Sequence, residues 1–235
     1  MNSKFAVGNL TIHRIVEQEE PFFDPLFFFP KLTPELLAEN QSWMQPRYID
    51  PKTGKLVLCI QSYLVQTPHH NILIDTCVGN HKPRPARPFW NMMNSDKYEK
   101  GLAATGVGVN DIDYVMCTHL HVDHTGWNTR LENGRWVPTF PNARYVFSRE
   151  DYEHYLAIDQ DPEKAPANLG SFRDSVLPVV EAGLAQMVSG AVALDEHLAV
   201  EPAPGHTPGS IAIKFESRGE RALFCGDSLH HALQV

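Results

Sequence analysis

A chain of 235 residues with 43% hydrophobic and 20% charged side chains is long and apolar enough to bury a substantial core, so a globular rather than a disordered chain is expected. Its formal charge of −8 lacks the basic face that a nucleic-acid partner requires and suits a neutral or cationic small-molecule substrate. No apolar run approaches the ~20 residues that cross a bilayer and the N-terminus has no signal-peptide core, so a cytoplasmic protein with a single domain over residues 1–235 is expected, without membrane contact.

In chain order, Phe5 to Val16 reads as a hairpin turning at Gly8-Asn9. Pro21 to Pro30 reads as an ordered loop that sets Phe22, Phe23, Phe27, Phe28 and Phe29 among three prolines. Core packing, a hydrophobic substrate wall and a homodimer contact all fit it. Thr33-Pro34 starts a helix reaching Glu39. Leu56 to Gln66 is an extended run, turned by Thr67-Pro68-His69-His70-Asn71 into Ile72 to Ile74 and Asp75, which places His69 and His70 at a surface hairpin tip. His81 to Pro88 alternates basic residues with proline and reads as a solvated loop carrying Lys82, Arg84 and Arg87. Helical patterns cover Asp96 to Ala104, Ser148 to Ala157 and Ser171 to Ala182, the last kinked or ended by Pro178. Leu198 to Val200 precedes a second hairpin, Ser210 to Phe215 and Ala222 to Cys225. A serine opens each of the two hairpins (Ser62, Ser210) and an aspartate follows each (Asp75, Asp227), which suggests two related halves. Strands interleaved with helices give an α/β fold class. The four cysteines form no CxxC pair and read as buried free thiols.

The chemistry concentrates after the strand-like run Asp113 to Thr118, where His119-Leu120-His121-Val122-Asp123-His124 places four candidate metal ligands within six residues. An extended backbone puts His119, His121 and Asp123 on one side with His124 pointing elsewhere, whereas a helix would pair His119 with Asp123. The preceding strand and Gly126 favour the extended form. Two further strand ends offer ligands: His206 in the rigid turn Ala203-Pro204-Gly205-His206-Thr207-Pro208-Gly209, and Asp227 after Ala222 to Cys225. Trp127 stands close enough to prop the cluster. His230 and His231 follow Asp227 closely, so a role lining a pocket and a structural role weigh equally.

The ordered set His119-x-His121-x-Asp123-His124, Gly205-His206-Thr207-Pro208-Gly209 and Gly226-Asp227 resembles the metallo-β-lactamase superfamily, from about Leu56 to the end of the chain. The resemblance implies an αββα four-layer sandwich with one or two Zn2+ ions. His119, His121 and His206 would bind the first metal, Asp123 and His124 the second, and Asp227 would bridge both. Asp75 matches the family's acid that orients ligand histidines. Paired metals hold a hydroxide for attack on a carbonyl or phosphoryl group, with Asp123 or Asp227 as a proton relay. The family carries a further metal-binding histidine downstream of the bridging aspartate. This chain ends at Val235, so the second site is expected to lack a ligand and the fold its last elements.

Motif spacing is similar to the branch of lactonases, aryl esterases and organophosphate hydrolases. A neutral ester or lactone is the expected substrate, with phosphotriesters as the alternative. Quorum-signal lactonases often carry a tyrosine where this chain has His230, which argues against a specific acyl-homoserine-lactone assignment. A reading of another class is a weakly active or inactive metal-binding fragment. A third is oxidation chemistry at iron, which the same ligand types accept.

Overall fold

The computed structural model describes residues 3–234. The chain divides into two compact units, one of Met1–Glu17 and Gln61–Ser228, the other of Gln18–Ile60 and Leu229–Val235. It begins with the expected hairpin, in which β1 (Lys4–Val7) pairs antiparallel with β2 (Leu10–Phe23) across Gly8-Asn9.

The end of β2 carries the chain into the smaller unit. There Asp24 accepts the Leu26 and Phe27 N–H groups and caps a short helix, α1 (Pro25–Phe28). Pro21 to Pro30 is thus a strand end and a capped helical turn rather than a loop, because Asp24 satisfies the first free N–H groups and Pro25 needs no partner for its nitrogen. Phe23 stacks on Phe28 at 5.2 Å, Phe29 meets Phe28 edge-on at 4.9 Å, and Phe27 remains 75% exposed. Thr33 caps α2 (Pro34–Met44), which runs past Glu39.

The larger unit holds two facing sheets. From β3 (Leu56–Gln66) the chain turns into β4 (Asn71–Ile74), then continues through α3 (Lys97–Ala103) to β5 (Tyr114–Met116). A separate hairpin of β6 (Thr129–Glu132) and β7 (Arg135–Pro138) precedes β8 (Arg144–Ser148), α4 (Arg149–Gln160), α5 (Leu177–Glu181) and β9 (Ala185–Val188). The first sheet has the order β1-β2-β3-β4-β5-β8-β9, with β4, β5, β8 and β9 parallel. β10 (Val192–Ala193), β11 (Leu198–Pro202), β12 (Ile211–Ser217) and β13 (Glu220–Phe224) form the second sheet, antiparallel throughout. Leu10, Ile12, Ile74 and Met116 from one sheet and Val200, Ile213 and Phe215 from the other belong to one buried cluster, so the core lies between the sheets.

Two expectations change. Ser171 to Ala182 is not one helix: a π-helical turn, Phe172–Val176, gives way to α5, and Pro178 sits in the first turn of α5, where its missing N–H costs nothing. Lys82 and Arg84 are fully buried rather than solvated, while Arg87 is exposed. Arg84 makes a two-pronged pair with Asp174 (Nη1–Oδ2 and Nη2–Oδ1, both 2.8 Å), and Lys82 Nζ donates to Thr129 Oγ1 at 2.9 Å and lies 3.8 Å from the Trp136 ring centroid. Cys77 and Cys117 are buried as expected, but Cys59 and Cys225 are only partly buried. Among the described residues, no helix is long and apolar enough to cross a membrane.

Candidate metal centre

Because β4 and β5 run parallel, the segments leaving Ile74 and Met116 emerge side by side, and the Asp75 N–H donates to Met116 O at 2.9 Å. The Ile211 N–H, at the start of β12, donates to Thr118 O at 2.8 Å and brings the His206 turn beside the same strand end. Asp227 arrives from β13 through Gly226. That glycine has φ 52°, and a Cβ on it would stand 2.7 Å from Thr118 Oγ1, so only glycine lets the chain pass there. The two similar hairpins, β3–β4 and β12–β13, therefore each deliver their terminal aspartate to one focus.

His119 to His124 is not extended throughout. The chain turns over Val122 to His124, with the His124 N–H donating to His121 O at 3.1 Å. This turn separates Asp123 from His119 and His121 and groups it with His124, against the period-two expectation. Two sets of donors result, His119, His121, His206 and Asp227, and Asp123, His124 and Asp227, with the donor atoms of each set within 4.8 Å of one another.

In the first set, His121 Nδ1 lies 3.0 Å from His119 Nε2 and 2.8 Å from His206 Nε2. Asp227 Oδ2 lies 3.4 Å from His206 Nε2 and 3.9 Å from His119 Nε2. Four donors placed tetrahedrally at about 2.0–2.1 Å from zinc stand about 3.3 Å apart, so these residues fit the ion in both donor type and spacing. In the second set, Asp227 Oδ1 is 3.3 Å from His124 Nε2, and Asp123 Oδ2 is 3.8 Å from the same nitrogen. Asp227 thus turns one oxygen to each set. Side-chain exposure rises from 1% at His119 to 25% at His206, so the focus is closed on one side and reachable on the other.

Asp75 stands behind this cluster. Its Oδ1 accepts the Thr118 N–H at 2.8 Å, and its Oδ2 accepts Thr118 Oγ1–H at 2.8 Å and His124 Nδ1–H at 2.9 Å. Thr118 Oγ1, its one proton committed to Asp75, faces His119 Nδ1 at 3.2 Å as an acceptor. Both imidazoles are thereby held with Nε2 lone pairs directed at the focus. Burial pushes the His119 pKa well below the ordinary histidine value, reinforced by the neighbouring His124. Burial also opposes charge on His124, but Asp227, Asp75 and Asp123 together outweigh it and raise its pKa. The Asp123 carboxyl is raised by burial and by Asp227.

Trp127 is buried, stacked on Tyr98 at 5.0 Å, and its indole N–H donates to Glu17 Oε1 at 2.6 Å. Glu17, which no sequence motif marks, also accepts the Val78 and Gly79 N–H groups (2.9 and 3.2 Å), and burial raises its pKa. Its signal was available: Glu17 follows Ile15 by the two-residue period of β2 and so faces inward. His230, His231, Phe22 and Phe23 lie in the smaller unit. There His230 meets Phe28 edge-on at 5.5 Å. His231 directs Nε2 to Tyr48 O at 3.0 Å and accepts the Leu233 N–H at Nδ1, so both its ring nitrogens are engaged.

Comparison with known proteins bears on this arrangement. The sequence model of the metallo-beta-lactamase superfamily matches residues 60–234. The N-acyl homoserine lactonase AttM of Azorhizobium caulinodans is 33% identical over 72 residues, 30% of this chain and only 24% of that protein's length. Among solved structures, AidC, a dizinc quorum-quenching lactonase, superposes with TM-score 0.75 at 20% identity, covering 97% of this chain and 75% of that one. The hydrolase AbOPH gives 0.73 at 22% identity, covering 96% and 73%. The structural likenesses establish an α/β fold of the metallo-β-lactamase type. Since the superfamily match takes in His119 through Asp227 and most of the sequence, the chain belongs to the metallo-β-lactamase superfamily.

Proposed function

We propose that this protein is a zinc-dependent hydrolase of a neutral ester or lactone, acting as a single domain over residues 1–235. The observation that carries the reading is Asp227, whose two oxygens address two separate donor sets. His119, His121, His206 and Asp227 Oδ2 would hold one ion, and Asp123, His124 and Asp227 Oδ1 a second. Zinc, when bound, would supply Lewis acidity and lower the pKa of bound water to about 7, so no side-chain nucleophile is required. Thr118 and Asp75 keep His119 and His124 in the tautomers that leave Nε2 free for a ligand bond. In hydrolysis the acyl carbon–oxygen bond breaks, a water oxygen joins the acyl carbon, and the leaving oxygen takes a proton. Asp123 or Asp227 would pass it, in addition to serving as a ligand.

A neutral ester or lactone is supported by the net charge of −8 and by the AttM match, and the aligned stretch includes under a quarter of that relative. The test is a panel of lactones, aryl esters, phosphotriesters and β-lactams assayed with metal-quantified protein. The fastest turnover is expected on lactones or aryl esters, and preference for β-lactams, or equal turnover after zinc removal, would overturn the reading. Elemental content of protein purified without added metal separates zinc from iron.

A further inference from the structure

The two loops that carry the three-histidine set come from different sheets, yet one side chain ties them together. Asp151, in the first turn of α4 and completely buried, accepts the Leu120 N–H through Oδ2 at 3.1 Å and the Gly209 N–H through Oδ1 at 2.7 Å. Leu120 lies between His119 and His121, and Gly209 closes the turn that presents His206. The Leu120 carbonyl is also taken, by the Asn168 side-chain amide. Gly209 sits directly on the first turn of α4: a Cβ there would collide with the Asp151 backbone nitrogen and lie 2.7 Å from Ser148 Oγ and 2.9 Å from Asp151 Oδ1.

We propose that Asp151 is a positioning residue that sets the gap between the His119–His121 loop and the His206 loop, and so the size of the three-histidine donor set. It touches no ligand atom and acts through two backbone N–H groups. A carboxylate suits the task because it offers an acceptor oxygen to each loop, whereas an amide of the same shape offers one. The anchor is rigid, since both N–H groups meet a side chain on a helix rather than on a third loop. This inference rests on the zinc reading above.

Zinc titration of metal-stripped protein, with cobalt(II) spectra of the same samples, tests it. Asp151→Asn keeps the side chain's shape but can tie only one loop. Its zinc affinity should fall about 10- to 100-fold, and its visible cobalt absorption should change, because the donor geometry has changed. Gly209→Ala leaves Asp151 in place but pushes the same loop off α4, and should move both readouts in the same direction. Unchanged affinity and spectrum in both variants would overturn the proposal, since folded protein without the clasp would then hold the donors equally well. Amide hydrogen exchange in the parent judges the clasp without any variant: slow exchange is expected at Leu120 and Gly209, and fast exchange at either overturns it. Absence of zinc uptake by the parent removes the hydrolase reading and this inference together, whereas parent uptake with affinity and spectrum unchanged in both variants removes the inference alone.

Discussion

The donor sets around Asp227 and the Lys82–Arg84–Asp174 cluster are both polar groups withdrawn from water by the same unit, yet their hydrogen bonds are arranged oppositely. Asp174 spends its oxygens on Arg84 and on the Ser175 hydroxyl, and Lys82 adds an ammonium 3.4 Å away that also reaches Thr129. Burial works against the charge on Asp174, but Arg84 and Lys82 hold its carboxyl below the usual range. Lys82 is pushed down to about 8, because burial outweighs the attraction of Asp174. Opposite charges there close on one another. Around Asp227, by contrast, His119 and His206 each bring Nε2 within 3.0 Å of His121 Nδ1 while Thr118 and Asp75 take up the far nitrogens of His119 and His124. Nitrogens converging on one point are the arrangement a cation would occupy, so the direction of the lone pairs, more than burial or charge count, distinguishes a candidate binding site from a structural brace.

Substitutions should split the two clusters along that line. The largest effect belongs to Asp227→Ala, which is expected to lower hydrolysis by more than about 100-fold and bring metal content toward one equivalent or less, with little change in the fold. Elemental analysis beside a rate measurement checks this, and full activity would contradict the bridging assignment. Asp174→Ala should do the reverse. Two buried cations lose their partner, so denaturant unfolding should show a loss of about 3–5 kcal/mol, with metal content per folded molecule unchanged. A smaller, pH-dependent effect is expected at Lys82. Its pKa in the folded chain, about 8, lies below its ordinary 10.5, so the unfolded chain binds more protons between those values and stability should rise as pH climbs through that window. Lys82→Met should remove up to about 3 kcal/mol of that rise from the difference between parent and variant, and parallel pH curves would show that the ammonium is not penalised by burial.

Much of the fold can be read locally, and the exceptions have identifiable causes. Leu56 to Gln66 appears as β3 with the boundaries its alternation suggests, and Thr33-Pro34 starts α2 as a capping pair should. The β6–β7 hairpin, absent from the expected elements, carries a strong turn signal in Asn133-Gly134, and β8 and β9 are short segments with little periodicity of their own. The phenylalanine-rich segment passed for a loop because a single side chain, Asp24, decides its helical turn. Lys82 and Arg84 passed for solvated because proline and charge dominate their neighbourhood, while the carboxylate that allows their burial stands some ninety positions away.

The residue types and their order, His119, His121, Asp123, His124, His206 and Asp227, were set by the sequence alone, because a metal demands particular donor atoms wherever the chain supplies them. How those donors divide was decided by the tertiary structure. The turn at Val122 to His124 moves Asp123 to the second set, Gly226 lets the chain pass close to Thr118 on its way to Asp227, and Asp75, Glu17 and Asp151 brace the loops from other elements. Such bracing is a matter of hydrogen-bond direction over a few ångströms between segments distant in the chain, and no local pattern of residues encodes it.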